Sequence, residues 1–108
     1  MFFSYIFNKP TSNQKKVFEA VSPIIERVFP KATSFVSCQH NEVIFTCGYT
    51  EQVSPCEQKC YPPEENKLDQ LADYLNKLSY SQNSKIKFQV WCEDIGGAIP
   101  MGIVASWD

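Results

Sequence analysis

The ten residues Lys85–Asp94, KIKFQVWCED, alternate strictly between polar and apolar. Ile86, Phe88, Val90 and Cys92 fall on one face, and Lys85, Lys87, Gln89, Trp91 and Glu93 on the other. A period of two fits only a strand with one buried face, because successive side chains of extended backbone point to opposite sides. The stretch MGIVASW repeats the pattern, with Met101, Ile103, Ala105 and Trp107 inward, and IGGAIP between the two runs reads as a turn. A second hairpin is written in SFVSCQHNEVIFTCGY: it turns near His40-Asn41, and Val43, Phe45, Cys47 and Tyr49 share a face. Sheets that are apolar on one side need a cover, so the rest of the chain must supply one.

Two stretches have the right period. Thr11 and Gln14 have the spacing of a capping box, in which hydroxyl and amide each satisfy an orphan backbone N–H. Behind them Val17, Phe18, Val21, Ile24, Ile25, Val28 and Phe29 form an apolar stripe, predicting a helix over residues ~12–29. Pro23 lies inside it and is expected to kink the helix or restart it, with Ser22 as a fresh cap. A second helix, ~64–79, opens after Pro62-Pro63 with Glu64 and Glu65 at the positive end of its dipole. Leu68, Leu71, Ala72, Leu75 and Leu78 are its stripe.

Between the halves, Thr50 to Pro63 reads as a polar loop. The expectation is a single α+β domain, 1–108, in the order helix, hairpin, helix, hairpin. Both helices pack on one face of a mainly antiparallel sheet, and the other face is left to solvent or a partner. Val21, Ile25, Phe45, Leu71, Leu75, Phe88, Val90 and Ile103 should be buried.

Several function classes lose support from composition. A net charge of −2 and a pI near 5.4 argue against affinity for nucleic acid. The apolar start MFFSYIFNKP has no basic leader region or cleavage site and is too short to span a bilayer, so we expect it tucked into the core. Five scattered cysteines suit reduced thiols in a cytoplasm, and Cys47 and Cys92 alternate with apolar residues as small core hydrophobes.

The thiols of PCEQKCYPPEE raise the question of metal. Cys38, His40, Cys56 and Cys60 together have the chemistry of a zinc site, but Cys-x-His and Cys-x-x-x-Cys do not have knuckle spacing. Cys38 and His40 would also be the pair for nucleophilic catalysis, without a glycine-rich nucleophile turn beside them. Glu64-Glu65 and Glu93-Asp94 suit a solvated surface, and Gly96-Gly97 belongs to a turn, not a phosphate loop. The reading is therefore of a protein without catalytic residues and without a cofactor. A small ligand in the concavity of the sheet has no residue pattern for or against it.

Charge is more informative. From Glu51 to Asp73 six acidic residues (Glu51, Glu57, Glu64, Glu65, Asp69 and Asp73) face Lys59 and Lys67, a balance of −4. Residues 1–50 balance to +2. An acidic segment of this kind either solubilises the domain or steers a basic protein partner. Candidate partner-binding residues are Glu57, Glu64, Glu65 and Asp69 as steering charges, with Tyr61 and Trp91 as aromatic anchors; Tyr49 also flanks the segment.

In size, charge and lack of a catalytic constellation the whole chain resembles the immunity proteins of bacterial contact-dependent growth inhibition systems. These are small single-domain cytosolic inhibitors that neutralise a cognate toxin domain, often a basic nuclease. Immunity proteins share no common motif, so the resemblance implies a function and a partner class and transfers no site residue.

Overall fold

The computed structural model describes residues 4–5, 11–30, 35–39, 41–94 and 97–108. The chain runs β1 (Ser4–Tyr5), α1 (Ser12–Val28), β2 (Phe35–Gln39), β3 (Glu42–Thr46), β4 (Tyr49–Ser54) and β5 (Glu57–Tyr61). It continues through α2 (Glu65–Lys77), α3 (Ser79–Ser84), β6 (Lys87–Asp94) and β7 (Ala98–Ser106). Five strands form one sheet in the order β1-β2-β3-β7-β6, antiparallel throughout except for β1 beside β2. The fold is α+β, as the alternation and the helical stripes require. The placement of residues 1–3 and 6–10, and the side chain of Tyr49, lie outside the described residues.

Helix α1 begins with the capping box. The Thr11 backbone N–H donates to Gln14 Oε1 at 2.7 Å, and the Gln14 N–H donates to Thr11 Oγ1 at 3.2 Å. Pro23 does not divide the helix: seventeen residues run continuously. The lost hydrogen bond and ring clash of an internal proline cost about 3 kcal/mol. Val17, Val21, Ile25 and Phe29, on both sides of Pro23, are buried along one stripe, and that burial holds the helix together. Helix α2 places Leu68, Leu71, Ala72 and Leu75 on the same cluster. Helix α2 ends at Lys77, close to the predicted end, and the short α3 that follows over Ser79–Ser84 was not anticipated.

The sheet meets both helices with Val43, Phe45, Phe88, Ile103 and Ala105, all buried, and Phe18 stacks on Phe45 with ring centroids 6.3 Å apart. Of the expected core, only Val90 is short of full burial; it packs at the margin. Gly102 lets β7 approach β3 closely: a Cβ there would lie 1.9 Å from the Phe45 carbonyl oxygen.

Three expectations need correcting. Residues 50–63 are not a loop, since most of them form β4 and β5, a separate antiparallel ribbon with Pro55-Cys56 at its turn. Cys92 is exposed and not a core residue. The register shifts between Trp91 and Cys92, so that Cys92 pairs with Pro100 in the distal part of the β6–β7 hairpin, beyond the packed core. Finally, the sheet face away from the helices is partly covered: Ile44 there is buried, and Val104 and Trp91 are half-buried.

Candidate functional site

Ribbon β4–β5 carries the first acidic candidates. Glu51 sits opposite Lys59, and Glu57, Lys59 and Tyr61 alternate onto the same face of β5. Residues 51–59 are exposed apart from the half-buried Ser54. Neither strand packs extensively on another element. The ribbon is held at its base: a Cβ on Gly48 would come within 2.9 Å of the Tyr61 carbonyl oxygen and 3.6 Å of Pro63. Lys59 lies over the Tyr61 ring, with Nζ 5.2 Å from its centroid, a cation–π contact that ties the aromatic to its own strand.

From Tyr61 the chain passes through Pro62-Pro63 directly into α2. Glu64 is the N-cap, in extended conformation without a side-chain capping bond, and Glu65 opens the helix. Glu65, Asp69 and Asp73 follow at intervals of four, which sets them on one flank, and all are exposed. Asp73 is partly neutralised by Lys77 at 2.9 Å, an exposed pair worth little to stability. The opposite flank, with Lys67, Gln70 and Tyr74, joins Ile24, Arg27 and Val28 of α1 around a cleft of about 410 Å³. Helix α2 thus separates an acidic flank from a mixed apolar and basic one.

Of the six sequence candidates, Glu57, Tyr61, Glu64, Glu65 and Asp69 follow one another along the ribbon, its exit and the α2 flank. Trp91 stands apart. It pairs with Gly102 on the sheet face away from the helices, so it does not share a surface with Glu65 and Asp69. Both aromatic candidates are half-buried. Among the described residues the large apolar side chains that are exposed are Val53 at 49%, Tyr74 at 54%, Tyr80 at 37% and Ile99 at 37%. Val53 sits at the register shift of the ribbon, between Gln52 and Ser54, where an unpaired residue turns outward. A lone valine between Gln52 and Ser54 carries no periodicity, so the sequence had no signal for it.

The thiols divide. Cys47 is buried, its Sγ 3.6 Å from the Phe45 carbonyl oxygen, and loss of solvent pushes its thiol up to about 12, against a smaller opposing effect of a backbone hydrogen bond from Ile103. Cys56 is exposed at the ribbon turn. Because β5 is extended, Cys56 and Cys60 stand on the order of 13 Å apart along the backbone, a span that one zinc ion cannot bridge. The side chains of Cys38 and Cys60, and His40 altogether, lie outside the described residues. Among the described residues no three His, Cys, Asp or Glu groups converge as metal ligands, and no helix is long and apolar enough to cross a membrane.

Comparison with protein-family models, curated proteins and solved structures returns no match.

Proposed function

We propose that the protein is a non-catalytic cytoplasmic inhibitor, of the immunity-protein or antitoxin kind, that neutralises a basic toxin domain by binding it directly. A nuclease, such as an RNase, is the partner that fits. The observation that carries this reading is the ribbon β4–β5 with its continuation into α2. Ribbon and helix start together present Glu51, Glu57, Glu64, Glu65 and Asp69 to solvent, and their carboxylates match the lysines and arginines with which a nuclease holds phosphate. The ribbon also has two strand edges outside the main sheet, and main-chain pairing to an edge is a common way for one protein to hold another. Charge would set the rate of encounter, and Val53 and the Tyr61 edge the rate of release.

The test is kinetic. With a basic RNase domain recovered by pull-down as ligand, Glu64→Lys with Glu65→Lys should slow association at least about tenfold at low salt and flatten its salt dependence. Tyr61→Ala or Trp91→Ala should mainly speed dissociation, and the separate position of Trp91 predicts the smaller effect there. Association untouched by both salt and charge reversal would mean that the acidic surface only solubilises the domain.

A further inference from the structure

At the far end of the sheet from the β3–β4 junction, where β6 starts and β7 finishes, the charge is reversed. A cleft of about 370 Å³ opens between α1, the end of α3 and the end of β7, with Lys16, Tyr80, Lys85, Trp107 and Asp108 among its walls. A second hollow of about 240 Å³ shares Lys85, Trp107 and Asp108 and adds Lys87. Lys16 and Lys85 line the first hollow with Asp108, and Lys85 and Lys87 line the second with it, and among the described residues none of the three lysines is in an ion pair.

Lys85 is the informative member. Its backbone is left-handed, with φ 56° and ψ 41°, at the C-cap of α3. Glycine fills such a position at no steric cost, whereas a Cβ, lysine's included, is crowded there. The position is nonetheless firmly built. The Lys85 N–H donates to the carbonyls of Gln82 and Ser81, the Ile86 N–H donates to Ser81 O at 2.9 Å, and buried Ser81 donates from Oγ to Leu75 O. The side chain therefore projects from a backbone position fixed by three hydrogen bonds, at the wall of both hollows. Trp107, fixed by its backbone N–H on Asn41 O at 3.2 Å, stands half-exposed beside it.

We propose that this cleft binds a phosphorylated nucleoside. Its base would lie against the Trp107 indole and the Tyr80 ring, its phosphates would take the ammonium groups of Lys16, Lys85 and Lys87, and Asp108 would accept from a sugar hydroxyl. The volume suits a mononucleotide, and indole with lysine is the pairing that holds a planar base joined to an anion. The proposal is independent of the toxin-binding reading, since it uses none of the same residues.

Calorimetric titration of the full chain with ATP, adenosine and tripolyphosphate is the test. ATP should bind with Kd below about 1 mM, and adenosine and tripolyphosphate each at least about tenfold more weakly, as expected when either half of the ligand is lost. Lys85→Gly should keep or raise the thermal midpoint, because the backbone prefers glycine, and still weaken ATP at least about tenfold. Lys67→Ala, away from the cleft, should leave ATP binding unchanged. Tripolyphosphate binding as tightly as ATP would overturn the proposal in favour of a bare cationic patch. So would unchanged ATP affinity in Lys85→Gly, and an RNA oligonucleotide binding more than about a hundredfold tighter than ATP would assign the surface to a polynucleotide.

Discussion

Ribbon β4–β5 and the hairpin β6–β7 are built from the same kind of backbone ladder, yet they are stabilised in opposite ways. In β6–β7 the ladder is backed by Phe88, Ile103 and Ala105, each buried against the helices. In β4–β5 the pairing is almost all there is: side chains from Glu51 to Lys59 other than Ser54 face solvent, and Gln58 reaches across to Gln52 at 3.4 Å. A two-stranded ribbon without a buried face is marginal in water. The comparison teaches that this chain spends its apolar residues on a platform and leaves a polar arm on which mutation costs little stability.

The largest expected effect lies in the platform. Phe45→Ala should destabilise by about 3–5 kcal/mol, most of what a small domain has, read as a lower midpoint in urea unfolding. Gly102→Ala should cost about 1–3 kcal/mol, because the Phe45 carbonyl has nowhere to move without opening the β3–β7 ladder. Alkaline unfolding then probes Cys47. Its folded-state pKa is raised to about 12 from 9.0, so its contribution is fully present below pH 9 and is lost as pH rises towards 12. Wild type should lose stability over that window more steeply than Cys47→Ala. With a thiol reagent in native buffer, Cys56 and Cys92 should react at once and Cys47 only on unfolding. The smallest effect belongs to the arm: Cys56→Ser with Cys60→Ser should change stability by less than about 1 kcal/mol. A loss comparable with that of Phe45→Ala would abolish the distinction between the two regions.

The same distinction explains what was legible in the sequence. Val43, Phe45, Phe88 and Ile103 announced themselves because burial of one face imposes a period of two, and Thr11 with Gln14 because capping chemistry is local. The ribbon was read as a loop because strands held by backbone bonds alone leave no apolar alternation. Pro23 is a different case. The local rule left a kink or a restart open, and packing on either side carries the helix through without a restart. Cys92 followed the alternation faithfully up to a bulge that only the partner strand defines. For the candidate site, the acidic run from Glu57 to Asp69 could be read because its members are neighbours in sequence. The cleft of Lys16, Lys85, Lys87 and Trp107 draws on segments far apart in the chain, and its one local mark is a left-handed lysine, which composition does not reveal.

Strand β6 ends the sheet, and its outer rim has a detail with its own consequence. The Asn76 carboxamide donates from Nδ2 to the Phe88 carbonyl at 2.9 Å and accepts the Phe88 N–H on Oδ1 at 2.8 Å. One side chain there imitates the peptide group of an absent sixth strand. A second molecule arriving edge-on finds that rung already occupied, so stacking of copies into a continuous ribbon is arrested at its first step. Asn76→Leu should therefore do more than weaken the fold. It should bare a complementary donor and acceptor on the β6 edge and raise concentration-dependent association above that of wild type, visible as greater light scatter.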